Sequence, residues 1–340
     1  MPDTVFHRDS FDFYATADID KYWTIHNGSG SIGAFGRWGT NGLRCSSTVN
    51  GVYKTIAVGE ATHFFGFSHK HSTNPGTRMP IVSLRDAGSL TTQVTVQLDT
   101  AGRITVLRGT GAGTLLGTGT TVFSISTERH VSCKIVISDT VGEVLVKVNG
   151  VTEINLTNQD TRNGTPTTAD QLGLCTEAFT TSDNHDFDDF WWNNFADFGD
   201  SRVERSLPSG NGNSSQWVGS DGNSTDNYLL VDETAPNADT DYVASSTAGD
   251  IDLYAFANVT PTTGAVKEVS VSLFARKDDA GARSIATMVR DGGTNAAGAT
   301  QSIGSTYLYY TESYVKNPVT TNDWTITEVN ADEYGQKLVA

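Results

Sequence analysis

Residues 130–156, HVSCKIVISDTVGEVLVKVNGVTEINL, hold three apolar runs separated by two short breaks. In GEVLVKVNG, Val144, Val146 and Val148 fall at alternate positions, the pattern of a strand that buries one face. Val, Ile and Thr dominate the runs, and branching at Cβ suits an extended backbone. The break at 139–142, Asp-Thr-Val-Gly, reads as a turn whose aspartate caps its own backbone and whose glycine supplies a positive φ. The break at 149–150 is Asn-Gly, the strongest short hairpin signal. Nothing in the stretch has a helical period.

The same grammar extends outward. GVYKTIAV (51–58), HFFGFSHK (63–70), MPIVSL (79–84), TQVTVQL (92–98) and GRITVLRG (102–109) read as strands. A second Asp-Thr-x-Gly turn stands at 99–102, and the glycine-rich GTGAGTLLGTGT (109–120) joins the two hairpins. In GRITVLRG, Ile104, Val106 and Arg108 should face one way, Thr105 and Leu107 the other. The pattern predicts a meander within a two-layer sandwich.

After Asp197 the composition changes. Residues 199–249 are polar and turn-rich, and patterned strands return at 250–259, 266–277, 284–293 and 305–315. Val269, Val271 and Leu273 alternate with Ser270, Ser272 and Phe274, which predicts a second β-sandwich. Helix is expected only as a turn within 327–335. The domains expected are 1–198 and 199–340.

The 340 residues carry 23 Lys and Arg against 39 Asp and Glu, a net charge of −16. A chain of that charge repels phosphate backbones, so nucleic acid is not an expected partner. At 37% hydrophobic residues it can build real cores. Cys45, Cys133 and Cys175 are far apart and form no CxxC, so they read as small buried apolar residues. The first twenty residues lack a basic start followed by an apolar run. No stretch approaches the ~20 apolar residues of a membrane span. Synthesis in a cytoplasm, without membrane insertion, is expected.

The order of elements over about 9–197, and above all Val146-Lys-Val148-Asn149-Gly150 followed by FDDFWW, resembles the concanavalin A-like (laminin-G-like) jelly roll. GDSRVERSLPSGNG (199–212), SVSLFARKDDAGARSIATMVRDGGT (270–294) and DWTITEVNADEYGQKLV (323–339) further resemble structural proteins of tailed-bacteriophage virions. The resemblance implies an all-β chain, a concanavalin A-like jelly-roll sandwich followed by a second β-sandwich. It implies a virion component made in the host cytoplasm, tail-associated and near the adhesion apparatus. Its partners would be other virion proteins and further copies of itself. A capsid decoration protein and a carbohydrate-binding module are the alternatives.

The chemistry candidates are few. HDFDDFWWNNF (185–195) reads as the closing strand of the first sandwich, with Asp186 and Asp188 at its exposed start and the rings farther in. No glutamate lies in 178–203, so the Glu-x-Asp-x-x-Glu arrangement of retaining glycanases is missing. No GxSxG, Walker or dinucleotide fingerprint occurs. A non-enzymatic protein with no catalytic residue and no cofactor is therefore expected. Calcium is one ion to consider, through Asp183, Asp186 and Asp188, because Ca²⁺ collects loop carboxylates; zinc at His63, His69 and His71 is the other. His69 and His71 share a strand face and His63 lies nearby, but the sequence offers no third ligand, and an exposed strand-end pair is the plainer reading. Trp38 and Trp217 sit in glycine-rich loops and are the candidate glycan platforms, since an indole stacks on the apolar face of a pyranose.

Overall fold

The computed structural model describes residues 3–26, 28, 30–46, 51–73, 78–177 and 183–340. It is all-β, with about 50% strand and 5% helix. The chain divides into two compact units between Val203 and Glu204, a little beyond the 198/199 boundary expected from composition. Among the described residues no helix is long and apolar enough to cross a membrane.

The first unit is a two-sheet sandwich. One sheet runs in the order Val151–Gln159, Gly142–Val148, Arg129–Val136, Thr62–His71, Asn184–Asn193, Gly42–Ser46, Ser31–Gly33, with Val5–Asp9 also on Asn184–Asn193. The other runs Thr114–Val122, Arg103–Arg108, Thr91–Leu98, Met79–Asp86, Ala169–Leu174, Val52–Glu60, Ile25–His26. Every pairing within these sheets is antiparallel. Strands far apart in sequence therefore lie side by side, and the closing strand Asn184–Asn193 enters the middle of its sheet.

The alternation read from the sequence is what fills the core. Val144, Val146 and Val148 are buried, and they pair across with Ile135, Cys133 and Val131. Beyond those lie Phe65 and Phe67, also buried. Asn149 and Gly150 both take positive φ, 49° and 79°, as a tight Asn-Gly hairpin requires. At 99–102 Asp99 accepts the amides of Ala101 and Arg103, and Gly102 has φ 77°. The second Asp-Thr-x-Gly site differs: there Ser138 Oγ accepts the amides of Thr140 and Val141. Asp139 instead pairs with Arg162. Thr105 and Leu107, placed by pattern on the opposite face from Ile104 and Val106, are buried as well, so that strand is covered on both sides.

The closing strand carries a β-bulge. Asp188 pairs with Ser68 and Trp191 with Gly66, so three steps on one strand match two on its neighbour. Asp189 takes φ 53° at this point. The extra residue flips the alternation. His185, Phe187 and Trp192 face the interior with Phe65 and His69, while Asp186, Asp188 and Trp191 share the outer face. The same place is where the strand's other neighbour changes, from Gly42–Ser46 to Val5–Asp9.

Trp191 lies flat on the sheet because its partner is glycine. A Cβ on Gly66 would stand 2.5 Å from the indole ring, and Phe198 covers the ring from outside at 5.2 Å between centroids. Gly66→Ala is expected to destabilise the first unit by about 1–3 kcal/mol through overpacking. The check is a urea titration showing a lower midpoint at unchanged slope.

The second unit packs a six-stranded sheet against a two-stranded ribbon. The sheet order is Pro208–Ser215, Ile251–Phe256, Glu333–Leu338, Arg283–Asp291, Thr294–Ala297, with Gln301–Ile303 also on Arg283–Asp291. The ribbon pairs Val269–Ala275 with Leu308–Tyr314. Val271, Val289, Tyr314, Trp324 and Tyr334 form one core cluster, with Val269 and Leu273 packed on it as their alternation requires. A short helix, Ile326–Ala331, begins with a capping box between Thr325 and Glu328.

Candidate functional site

The outer face of the eight-stranded sheet carries a set of polar groups around an exposed ring, Trp38. Three segments build it: the closing strand, the loop at 34–41, and residues 194–203. The loop is tight, and a Cβ on Gly36 would meet the Asn41 carbonyl at 2.2 Å. Asp12 holds the loop by accepting the Asn41 amide at 2.8 Å. The 194–203 segment is laid on the sheet by Asp197, which takes Lys147 Nζ at 2.9 Å.

Asp188 and Asp189, adjacent at the bulge, fix the loop to the strand. The Arg37 amide donates to Asp188 Oδ2 at 2.7 Å. Trp38 Nε1 donates to Asp189 Oδ2 at 2.9 Å, and the Val203 amide to Asp189 Oδ1 at 2.8 Å. The Arg37 guanidinium grips Asp200 through both terminal nitrogens. Arg37 and Arg202 lie over the Trp38 ring at 4.7 and 5.4 Å from its centroid. Held this way, Trp38 is still 50% exposed. That is an oriented aromatic surface ringed by donors and acceptors.

The electrostatics of the pair follow from burial. Desolvation pushes the Asp188 carboxyl up, and the neighbouring Asp189 charge adds to it. Desolvation likewise raises Asp189, against the hydrogen bonds from Val203 and Trp38. Burial thus raises both members of the pair. Asp200 is held low by the hydrogen bonds from Arg37.

Several expectations change here. Asp186 and Asp188 are not at an exposed strand start: they are 5% and 2% exposed, because the loop and the 194–203 segment cover the sheet. Asp186 is bound by Arg44 at 2.7 and 2.9 Å, with Lys70 3.7 Å away. Asp183 Oδ1 accepts three donors from Ser72 and Thr73. Asp183, Asp186 and Asp188 therefore serve separate groups of donors and do not offer one ion the six to eight oxygens calcium takes. Trp217 is half-buried: its ring packs on Ile285, Tyr310 and Leu338, and its Nε1 donates to the Asp250 carbonyl. His69 and His71 are buried, not exposed, and the third imidazole beside them is His185, at the head of the closing strand. His63 stands apart, accepting Trp192 Nε1 at Nδ1.

The link from Trp38 to Asp189 was not readable in advance, since it depends on the bulge. The adjacency of two aspartates to two tryptophans in one strand was the available signal.

No family model matches the chain, and no curated protein matches its sequence. Among solved structures it is similar to a Trypanosoma rangeli sialidase at 15% identity and TM-score 0.36, over 48% of this chain and 26% of that one. It is similar to the alginate lyase Aly36B at 12% and 0.38, over 60% and 98%. It is also similar to the carbohydrate-binding module CBM66 from Bacillus subtilis at 9% and 0.35, over 49% and 91%. The chain spans about a quarter of the sialidase's length. A sialidase and an alginate lyase are enzymes, so the expectation of a non-enzymatic chain is not sustained. At such scores they assign no activity to it.

Proposed function

We propose that the chain is a structural component of a tailed-phage particle, set near the tail's adhesion apparatus, and that its first unit presents a glycan-binding surface centred on Trp38. The particle assignment rests on the sequence resemblance at 199–212, 270–294 and 323–339. The glycan assignment rests on one observation: a half-exposed indole fixed at its nitrogen by Asp189, with Arg37 and Arg202 over its ring. Carbohydrate sites combine such a ring, for the apolar sugar face, with a few oriented polar groups for the hydroxyls. Several copies on one particle would multiply a weak single-site affinity.

The test is a glycan array probed with the chain and with Trp38→Ala. The variant should lose retention on every glycan the parent holds, while its unfolding free energy stays within about 1.5 kcal/mol, since it loses one hydrogen bond and little burial. Equal retention by both proteins would remove Trp38 from the site. Labelling of intact particles for electron microscopy separates the tail position from a capsid decoration.

A further inference from the structure

Where the strands Thr62–His71 and Asn184–Asn193 pair at their outer ends, three imidazoles and a carboxylate are sealed together. His185 lies directly across from His71. His69 is on the same face one pleat away, with its ring stacked on that of His71 at 5.9 Å. Asp183 immediately precedes the second strand. All four residues are 0–1% exposed. His69 Nε2 and His185 Nδ1 are 2.8 Å apart, and the far nitrogen of His185 is 3.8 Å from Asp183 Oδ2.

The hydrogen bonding of this cluster is incomplete, at His69 Nδ1 among other atoms. Asp183 Oδ1 accepts the Ser72 amide, the Ser72 hydroxyl and the Thr73 amide, which fixes the carboxylate. Its Oδ2 has no hydrogen-bond partner, and neither ring nitrogen of His71 has one. An imidazole offers a donor and an acceptor in either tautomer, so His71 is satisfied in neither. Each such buried group costs roughly 1–3 kcal/mol. Folded proteins keep few of them without an ion or a water to complete them.

We propose that Asp183, His71 and His185 bind a divalent transition-metal ion of the zinc type, with His69 as a positioning residue. Two imidazoles and one carboxylate suit Zn²⁺, Co²⁺ or Ni²⁺ and not calcium. A metal-bound imidazole usually donates its other ring N–H to an acceptor that fixes its orientation. Here His185 Nδ1 and His69 Nε2 stand 2.8 Å apart, and with a metal on His185 Nε2 the Nδ1–H donates to His69. As the side chains stand, no three such groups among the described residues are close enough to hold an ion. His71, which no hydrogen bond restrains, is the ring that turns on binding. The site lies in the strand pair itself, so occupancy ties the two strands together.

The experiment uses the full chain stripped with a chelator, then titrated with ZnCl₂ by calorimetry and with CoCl₂ by visible absorption. The expected result is one equivalent of metal per chain, a higher melting temperature with zinc, and cobalt ligand-field bands. His71→Gln and Asp183→Asn, each confirmed folded by circular dichroism, should weaken zinc binding at least 100-fold. His69→Gln should weaken it about 10–100-fold through orientation alone. A folded parent that takes up no stoichiometric metal, leaving water as the occupant, would overturn the proposal. So would zinc binding equally tight in His71→Gln and Asp183→Asn.

Discussion

Asp252→Ala is expected to destabilise the second unit by about 3–5 kcal/mol, from buried donors that lose their acceptor at roughly 1–3 kcal/mol each. Asp252 is fully buried. Its Oδ1 accepts the amides of Gln216 at 2.5 Å and Trp217 at 2.8 Å. Its Oδ2 accepts Asn227 Nδ2 at 2.6 Å and the Tyr254 hydroxyl at 3.2 Å. Alanine deletes one acceptor group; the Gln216 amide keeps the Ile251 carbonyl and Asn227 Nδ2 the Trp217 carbonyl, while the Trp217 amide and the Tyr254 hydroxyl lose their acceptor, at roughly 1–3 kcal/mol each when desolvated, in part relieved by water entry. The loop that carries Trp217 loses its anchor in the same step. Asp252→Asn keeps an oxygen for the two amides and should cost distinctly less. Urea unfolding of both variants, followed by near-ultraviolet circular dichroism, measures the difference.

The second large effect is a dependence on pH carried by His63. Its Nδ1 accepts the Trp192 indole N–H at 3.1 Å, and its Nε2 lies 2.8 Å from the Glu60 carbonyl. Nδ1 is therefore the bare nitrogen and Nε2 the protonated one. A second proton on Nδ1 would face the indole N–H. Burial is the main cause that lowers the His63 pKa to about 4. The unfolded chain, with histidine near 6.5, takes up that proton first. The stabilisation is thus complete above pH 6.5, falls as the pH drops, and is gone below about 4. Its size is ~3.4 kcal/mol at most, from roughly 2.5 pH units at 1.36 kcal/mol each.

Buried acids titrate the other way over part of this range. Desolvation raises Asp9 to about 7, so the unfolded chain gives up that proton first and stability falls as the pH rises from about 4 to about 7. The informative quantity is therefore a difference between two proteins. His63→Gln can still accept from Trp192 and donate to Glu60, but it cannot titrate. The slope of unfolding free energy against pH should be shallower in the variant, by up to about 1.4 kcal/mol per pH unit between 4.5 and 6. Identical slopes would show that His63 is not the proton acceptor.

The legible part of the fold was the part written in period two and in turn chemistry. Val144, Val146 and Val148, the Asn149-Gly150 turn and the Val269–Leu273 alternation all act locally, and each lies where the pattern put it. The strand Pro208–Ser215 was not legible. Its sequence, PSGNGNSS, has no apolar residue, and it is an edge strand held by its pairing with Ile251–Phe256 and by Glu333, which accepts from Asn213. The bulge at Asp189 was not legible either. A single inserted residue exchanges the faces of Trp191 and Trp192, and Asp186 and Asp188 are buried on the outer face by tertiary partners, Arg44 and the Arg37 amide. Both candidate sites depend on contacts 100 or more residues apart. Trp38 reaches Asp189, and His71 reaches His185, only because the closing strand enters mid-sheet.

The most direct measurement is a crystal structure of the chain with the glycan it retains best on an array. A sugar ring against the exposed part of the Trp38 indole, with hydroxyls bonded to the side chains around Asp188, Asp189 and Arg202, is the expected outcome. Density for the sugar anywhere else on the chain, with the Trp38 surface bare, would contradict the assignment.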